Sequence, residues 1–296
     1  MHRSGFIALL GRPNVGKSTL LNALVGEKVA ITTDRPQTTR NQIRAVLTRP
    51  ESQLIFIDTP GLHKPKHRLG DSMVQLSLAA MNEVDLVCFM VEAHHMPGPG
   101  DRYIAELLNS VKSPIFLILN KIDLVDSEKL DQVCQAYWAL ADFKQYFTLS
   151  ALHKSNLEAL VDAADELMPE GPQFYPPEMI TDQPEGFIAA EIIREKVIML
   201  THQEIPFSIA VVIEEMKLRE NSELLDLRAE IFVERKSQVG IIVGKGGRLL
   251  KEAGTRARLE LEALFGRKIF LDLRVKVKKD WRNRDEELRR LGYSGS

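Results

Sequence analysis

Eight residues near the start of the chain have the types and spacing needed to bind phosphate. Residues 11–18 read Gly-Arg-Pro-Asn-Val-Gly-Lys-Ser and match G-x-x-x-x-G-K-[ST] at every fixed position. Glycines let backbone N–H groups converge on phosphate oxygens, and the following helix N-terminus adds its positive end. Lys17 would reach the β- and γ-phosphates, and the Ser18 hydroxyl would bind Mg²⁺. The predicted phosphate-binding residues are Gly11, Arg12, Pro13, Asn14, Val15, Gly16, Lys17, Ser18 and Thr19.

A second motif selects the base. Residues 120–123 read Asn-Lys-Ile-Asp and follow an apolar block at 115–119. The Asp123 carboxylate can accept hydrogen bonds from N1–H and the 2-amino group of guanine, whereas adenine would leave it unpaired. Asn120 and the Lys121 stem would hold the base, and a backbone N–H after the strand at 146–149 would meet guanine O6. The predicted base-binding residues are Asn120, Lys121, Ile122, Asp123, Ser150 and Ala151.

Two further segments would sense a γ-phosphate. Asp58 follows the apolar block 54–57 and would hold Mg²⁺ through water, while the Gly61 N–H would contact the phosphate. The polar segment 36–40, Pro-Gln-Thr-Thr-Arg, reads as a switch, in which Thr39 is the favoured Mg²⁺ ligand and Thr38 the alternative. The sequence therefore predicts Lys17, Thr39 and Gly61 as catalytic residues, Ser18, Thr39 and Asp58 as the Mg²⁺ site, and Asp58, Thr59, Pro60, Gly61 and Leu62 as nucleotide contacts.

The blocks around these motifs predict the elements that hold them. Short apolar blocks at 5–10, 54–57, 85–91, 115–119 and 146–149 alternate with helical spacing at 19–25, 69–81, 101–111, 129–141 and 157–168. This alternation implies an α/β fold, a mostly parallel sheet with helices on both faces. A proline-rich stretch then predicts a linker. We therefore expect a GTP-binding domain at 1–170, a linker at 171–184 and a smaller α+β domain at 185–296.

A glycine-rich loop marks the smaller domain. Residues 244–247 read Gly-Lys-Gly-Gly, follow an apolar, strand-like block at 241–243 and precede a predicted helix at 248–264. A G-x-x-G loop in this setting clamps the backbone of about four single-stranded nucleotides. Residues 235–296 carry 17 Lys+Arg against 8 Asp+Glu, a net charge of +9, which favours a polyanionic partner. The predicted RNA contacts are Ile242, Gly244, Lys245, Gly246, Gly247, Arg248 and Lys251.

Composition excludes several other classes of protein. Of 296 residues, 44% are hydrophobic and 27% charged, as in globular proteins, and no run of 18 apolar residues predicts a membrane span. Cys88 and Cys134 cannot build a disulfide framework or a four-thiolate zinc site, which indicates free thiols in a reducing cytosol. Two histidine pairs raise the question of a metal site, but we expect solvated loop side chains at His63, His67, His94 and His95.

The motifs in this order resemble the translation-factor class of GTPases, and in detail the bacterial Era family with its C-terminal type II KH domain. The chain's G-R-P-N-V-G-K-S, P-Q-T-T-R and D-T-P-G-L-H segments and its ending, V-K-V-K-K-D-W then L-R-R-L-G-Y, carry the resemblance over nearly its whole length. It implies Mg²⁺-dependent hydrolysis of GTP to GDP and phosphate. It also implies binding of single-stranded 16S rRNA near its 3′ end, in 16S rRNA processing and 30S ribosomal subunit biogenesis.

The resemblance has further implications. Leu62 stands where Ras-like proteins carry a catalytic glutamine, so hydrolysis should be slow without a partner. Asn14 matches an asparagine that helps related GTPases bind K⁺, and the sequence leaves open whether K⁺ acts here. We expect a cytoplasmic monomer, and the basic segment permits peripheral contact with the inner face of the membrane.

Two alternatives remain at this stage. One is an RNA-binding protein whose nucleotide site is only structural. The other is a membrane-associated signalling GTPase in cell-cycle control, for which RNA is secondary. The favoured hypothesis is a switch, in which GTP with Mg²⁺ orders residues 32–41 and the segment after Asp58 and thereby changes RNA affinity.

Overall fold

The chain folds as two compact units. The computed structural model describes residues 2–201, 205–220 and 222–293. Among these, the first unit comprises residues 2–30, 39–66 and 70–182, and the second comprises 31–38, 67–69 and the described residues from 183 onward. No helix within the described ranges is both long and apolar enough to cross a membrane.

The first unit is a six-stranded sheet with helices. The strands are β1 (Arg3–Gly11), β2 (Ile43–Arg49), β3 (Ser52–Asp58), β4 (Leu86–Glu92), β5 (Ile115–Asn120) and β6 (Gln145–Leu149), and the helices are α1 (Lys17–Val25), α2 (Arg68–Asn82), α3 (Pro99–Leu108), α4 (Ser127–Trp138) and α5 (Leu157–Leu167). The order is β2-β3-β1-β4-β5-β6, in which β2 is antiparallel to β3 and the other pairs are parallel. The predicted α/β fold is confirmed. Strands β3, β4 and β5 are buried almost throughout, as expected for strands covered on both faces.

This topology brings the predicted motifs to one edge of the sheet. Strand β1 leads into the phosphate loop, β3 into residues 59–62 and β5 into residues 121–123. The register aligns Leu9 of β1 with Asp58 of β3, so the first two motifs begin side by side. Since parallel strands end at the same edge, that edge is where a ligand of an open α/β sheet binds.

The proline-rich stretch packs along the first unit. Residues 171–184 contain no helix or strand. The Gln53 Oε1 accepts hydrogen bonds from the backbone N–H groups of Phe174 and Tyr175 at 2.8 and 3.0 Å. The Val46 N–H donates to the Ile180 carbonyl at 2.7 Å. The expected linker therefore extends the β2–β3 edge as far as residue 182.

The second unit is a three-stranded sheet with helices. Its elements are α6 (Glu185–Leu200), α7 (Ile205–Ser208), β7 (Ala210–Leu218), β8 (Leu225–Val233), α8 (Lys236–Val243), α9 (Arg248–Phe265), β9 (Ile269–Val277) and α10 (Asp285–Arg290). The central strand β8 is antiparallel to β7 and parallel to β9. Apolar side chains of α6 and α9, including Val197 and Leu261, form its core together with Ile231 of β8.

One element of this unit corrects the sequence analysis. Residues 241–243, expected to be strand-like, form the last turn of α8. The Gln238 Oε1 accepts hydrogen bonds from the N–H groups of Glu234 and Arg235 at 2.9 and 3.0 Å and so supports the start of the helix. A short β-branched run does not by itself distinguish a strand from a buried helix.

Candidate nucleotide and nucleic-acid sites

The phosphate loop depends on two glycines at close approaches. Gly11 and Gly16 have φ of 154° and 102°. A Cβ on Gly11 would lie 2.4 Å from the Met90 carbonyl oxygen, and one on Gly16 would lie 2.3 Å from Asn120 Nδ2. Only glycine fits these positions without displacing neighbours. The loop is thereby pressed against β4 on one side and the base-binding motif on the other.

Lys17 lies buried at the centre of the loop. Its Nζ donates to the carbonyl oxygens of Gly11 and Arg12 at 3.3 and 3.1 Å. Burial lowers the pKa of this ammonium, and the neighbouring Asp58 carboxylate opposes that shift. A phosphate is a stronger partner than a carbonyl oxygen, so the position suits an anionic ligand.

Three oxygen-bearing side chains converge beside the loop. The Ser18 hydroxyl donates to Asp58 Oδ2 at 2.6 Å, and the Thr39 hydroxyl donates to the same oxygen at 3.2 Å. The two hydroxyl oxygens are 2.9 Å apart. Asp58 is fully buried, and its Oδ1 has no hydrogen-bond partner within the described ranges. Oxygen donors around an orphaned buried carboxylate oxygen fit a hard divalent cation such as Mg²⁺.

The electrostatics of this cluster favour a cation beside Asp58. Burial raises the pKa of Asp58, and Lys17 and the hydrogen bonds from Ser18 and Thr39 oppose the rise. The structure places Thr39 in the cluster rather than Thr38. The Thr38 hydroxyl instead donates to the Arg35 carbonyl oxygen at 2.7 Å.

The segment after β3 is fitted closely to the phosphate loop. A Cβ on Gly61 would lie 2.6 Å from the Pro13 nitrogen. The Leu62 N–H donates to the Gly11 carbonyl at 3.0 Å, while the Leu62 side chain is only 2% exposed within the core. Residue 62 therefore contributes its backbone to the site and not its side chain. Thr59 anchors the same segment, because its hydroxyl donates to the Leu9 carbonyl oxygen at 2.7 Å.

The base-binding motif joins two loops. The buried Asn120 donates from Nδ2 to the Val15 carbonyl at 2.8 Å and accepts at Oδ1 from the Ala151 N–H at 2.9 Å. The Lys121 Nζ donates to the Asn14 carbonyl at 2.9 Å. These bonds hold the phosphate loop and the Ser150–Ala151 loop in a fixed relation.

Asp123 presents a carboxylate at the same edge. The Ser150 hydroxyl donates to its Oδ1 at 2.5 Å, and this hydrogen bond lowers the pKa of Asp123. Its Oδ2 is 3.9 Å from His153 Nε2. The neighbouring Ile122 packs against the core of the first unit. An ionised carboxylate there is equipped to accept the two guanine donors.

Sequence reasoning missed two carboxylates that support these motifs. Glu92, at the end of β4, forms an ion pair with the Lys121 ammonium. The buried Asp101 accepts from Arg12 Nη1 and from the Gly98 N–H, each at 2.9 Å. Neither residue belongs to a motif. The only feature of the sequence that could have pointed to either residue was the position of Glu92 at the carboxyl end of a predicted strand.

The glycine-rich loop of the second unit is partly exposed and has positive φ at all three glycines. Gly244, Gly246 and Gly247 have φ of 71°, 62° and 77°. Lys245 and Arg248 are exposed beside it, as is Lys251 on α9. Ile242, predicted to contact RNA, is fully buried in the core and supports the loop from below. The apolar block is a helix, and Ile242 lies on its buried face, so its contact with RNA stays a prediction.

An open groove of about 350 Å³ begins at this loop and runs between α9 and β9. Strand β9 is an edge strand, so its backbone is accessible on one side. A Cβ on Gly254 would lie 3.1 Å from Leu273 Cδ1, so this mid-helix glycine keeps the groove open. The sequence did not identify most of its lining, which is apolar and basic: Gly247, Leu250, Lys251, Gly254, Thr255, Arg258, Leu271 and Leu273.

Comparison with known proteins agrees with the two domains. Residues 6–121 match the family of 50S ribosome-binding GTPases, and residues 204–282 match the KH domain family. The chain is 49% identical over 292 residues to GTPase Era of Alkaliphilus metalliredigens, with 99% of each chain covered.

Two solved structures are similar over nearly the whole chain. One is a crystal structure of Era in complex with MgGDPNP and nucleotides 1506–1542 of 16S ribosomal RNA, with a TM-score of 0.97 at 40% identity and full coverage of both chains. The other is an Aquifex aeolicus Era variant bound to GDP·AlF₄⁻, with a TM-score of 0.94 at 40% identity over 99% of this chain and 100% of that one.

Fold and site together define a P-loop GTPase domain followed by a C-terminal KH domain. The 49% sequence identity over 292 residues to GTPase Era of Alkaliphilus metalliredigens assigns the chain to one family within this class. The chain belongs to the Era family of GTPases. The resemblance found in the sequence is thereby confirmed.

Proposed function

We propose that this GTPase binds GTP with Mg²⁺ in its first unit and binds single-stranded 16S rRNA near the 3′ end through its second unit. The observation that carries the proposal is the presence, in one chain, of an oxygen cluster suited to sense a γ-phosphate and a glycine loop opening on a basic groove. The related Era structure contains both kinds of ligand, MgGDPNP and a 16S rRNA fragment.

Different residues of the first unit would bind the phosphates, the Mg²⁺ ion and the γ-phosphate during hydrolysis. Backbone N–H groups of residues 14–18, which follow Pro13, and the Lys17 ammonium would hold the phosphates. Ser18 and Thr39, with Asp58 through a water, would hold Mg²⁺, which neutralises charge on the β- and γ-phosphate oxygens. The Gly61 N–H would meet the γ-phosphate. Because Leu62 offers no polar side chain, unassisted turnover should be slow, on the order of 10⁻⁴ to 10⁻² s⁻¹.

The second unit would bind RNA through the loop and groove. The exposed Lys245 and Arg248 would meet phosphates, and the left-handed glycines let the sugar–phosphate backbone approach closely. Bases would enter the groove, where Leu250 and Leu273 offer apolar surface. The free edge of β9 can hydrogen-bond to base edges. Such a groove binds an unpaired strand and rejects a duplex.

The cellular role that we propose is 16S rRNA processing and 30S subunit biogenesis. The chain would act as a monomer in the cytoplasm, in contact with the 30S ribosomal subunit, and its basic C-terminal segment would allow peripheral contact with the inner face of the membrane.

We also propose that K⁺ binds near Asn14, whose backbone is left-handed and whose carbonyl lies at the loop surface. Faster hydrolysis in K⁺ than in Na⁺ at equal ionic strength would support this.

The deciding experiment measures RNA affinity in two nucleotide states. A labelled RNA from the 3′ end of 16S rRNA and a scrambled RNA are titrated with protein bound to GDP or to a non-hydrolysable GTP analogue. Salt is fixed near physiological strength, because a basic surface binds any RNA at low salt. Tighter, sequence-dependent binding with the analogue is expected, and equal affinity in both states contradicts the switch hypothesis.

The chain offers a matched pair of loop variants. Gly246 and Gly266 have φ of 62° and 64°, and a Cβ on either would meet no described atom within 4 Å. Gly246→Asp and Gly266→Asp therefore introduce the same charge and similar backbone strain at opposite ends of α9. We expect about a tenfold or greater loss of RNA affinity in the first only. Equal losses would show that the loop is not the binding site.

A further inference from the structure

Glu92, His94 and His95 form a cluster just after β4 that nucleotide binding does not explain. One ring nitrogen of each histidine and one carboxylate oxygen of Glu92 lie within 4.8 Å of one another. The two ring centroids are 4.0 Å apart. Solvated loop histidines were expected here. The structure instead gathers both rings beside one carboxylate.

We propose that this cluster, the Glu92–His95 cluster, is a binding site for a divalent transition-metal ion, with Zn²⁺ as the best-fitting ion. Two imidazoles and a carboxylate are a ligand set that Zn²⁺ favours. With bonds of about 2.0–2.2 Å in tetrahedral geometry, neighbouring ligand atoms lie roughly 3.3 Å apart. The His95 Nδ1 is 3.2 Å from Glu92 Oε2, close to that separation. Water would complete the coordination.

His94 supplies an independent observation. Its Nδ1 is buried and has no hydrogen-bond partner in the part of the chain that the structure describes. Nearly all buried polar atoms have a partner, so an orphaned ring nitrogen indicates a partner that the polypeptide itself does not provide. Coordination of a metal ion by His94 Nδ1 would account for the missing hydrogen-bond partner. The other ring nitrogen, Nε2, would then hydrogen-bond to water.

The backbone of the cluster is held in place, and the cluster is open to solvent. The Ala93 N–H donates to the Asn120 carbonyl at 2.7 Å, and the His95 N–H donates to the Glu92 carbonyl at 3.2 Å. The side chain of His95 is 59% exposed, which gives an ion a path of entry. The ligands therefore need only side-chain rotation to close around a cation.

Glu92 connects this site to the base-binding motif. One of its carboxylate oxygens faces His95, and the other pairs with Lys121, which in turn donates to the Asn14 carbonyl. A bound cation would compete with the Lys121 ammonium for Glu92. Zn²⁺ should therefore weaken GDP binding, and GDP should weaken Zn²⁺ binding by the same factor. This coupling, unlike the metal site itself, rests on the proposed nucleotide function.

The test uses the full-length, untagged protein loaded with Mg²⁺ and GDP, titrated with Co²⁺ and then with Zn²⁺. We expect one Co²⁺ to bind per chain. Its visible absorption spectrum should show the bands of a four-coordinate ion and no thiolate charge-transfer band. Zn²⁺ should then displace the bound Co²⁺. His94→Ala/His95→Ala should weaken binding about tenfold or more. The matched double variant His2→Ala/His153→Ala, which removes two other histidines, should bind as the wild type does.

The outcomes separate the metal site from the nucleotide site. Thermal unfolding first establishes that both double variants are folded. Equal Co²⁺ affinity in all three proteins, or no stoichiometric binding in the wild type, overturns the proposal. The titration is repeated without nucleotide. Co²⁺ binding lost only in His94→Ala/His95→Ala supports the metal site even if GDP binding fails, whereas a GDP affinity unchanged by saturating Zn²⁺ overturns the coupling.

Discussion

Gly16 faces Asn120 so closely that a Cβ on the glycine would lie 2.3 Å from the Asn120 side-chain nitrogen. Gly16 and Asn120 are 104 residues apart in sequence, yet the phosphate loop and the base-binding motif pack directly against each other at this point. Asn120 also bonds to the Val15 carbonyl and the Ala151 N–H. A single buried amide therefore fixes the distance between the parts that would bind phosphate and guanine.

Asn120→Ala should lower the affinity for GTP and GDP equally. The change removes two buried hydrogen bonds and leaves their backbone partners unpaired, at a cost of about 1–3 kcal/mol each. We expect a loss of about 10- to 100-fold for either nucleotide. Binding of a fluorescent GDP or GTP analogue measures it, with Asn109→Ala at the end of α3 as the surface control. A loss confined to GTP would contradict this role.

Asp123→Asn should change which base is bound. The carboxylate accepts from guanine N1–H and the 2-amino group, whereas a carboxamide can donate to the 2-oxo group of xanthine. We expect GTP affinity to fall by about 100-fold or more while XTP affinity rises. Competition between the two nucleotides for one labelled ligand measures the exchange. If the variant still prefers GTP, Asp123 does not bind the base.

Local sequence patterns predicted some elements almost to the residue. The strand predicted at 115–119 and the helix predicted at 248–264 each match the structure to within one residue. Strand β2 (Ile43–Arg49) was missed, because its pairing with β3 is a tertiary contact that the mixed polar and apolar run IRAVLTR does not reveal. Residues 241–243 were assigned wrongly because β-branched residues favour strands unless the fold buries one helical face.

Motif spacing predicted which side chains lie together in the nucleotide site. It did not predict the carboxylates that pair with the motif residues. Ser18, Thr39 and Asp58 lie together as expected from their types and order. Glu92 and Asp101 could not be found in this way. A lone carboxylate has no sequence signature when its partner is a lysine or an arginine brought to it by the sheet topology.

The two cysteines should differ in their reactivity. Burial raises the pKa of the Cys88 thiol strongly, and burial together with the nearby Asp131 raises the pKa of Cys134. A higher thiol pKa leaves less thiolate at pH 8. In the native protein we expect Cys88 not to react with a disulfide reagent and half-buried Cys134 to react slowly. Two thiols reacting rapidly before denaturant is added would show that β4 is more open than the structure describes.

Leu62→Gln should not accelerate hydrolysis. The Leu62 side chain is 2% exposed in the core, so a glutamine amide would be buried there instead of reaching the phosphates. We expect destabilisation by about 1–3 kcal/mol and no gain in single-turnover rate. Thermal unfolding and a phosphate-release assay measure the two effects. A tenfold faster rate would show that residue 62 can turn outward when GTP is bound.

Gly61→Ala should separate hydrolysis from GDP binding. A Cβ at residue 61 would lie 2.6 Å from the Pro13 nitrogen and 2.7 Å from its Cα, and backbone atoms cannot move aside as a side chain can. The segment after β3 must therefore withdraw from the phosphate loop, and its N–H would no longer reach the γ-phosphate. GDP has no γ-phosphate for this N–H to meet, so we expect its affinity to change less than about threefold, while the hydrolysis rate falls about 10- to 100-fold. Gly171→Ala is the control, because a Cβ there meets no described atom within 4 Å. If Gly61→Ala lowers GDP affinity and the hydrolysis rate equally, Gly61 is needed for the folding of the phosphate loop and has no separate role in hydrolysis.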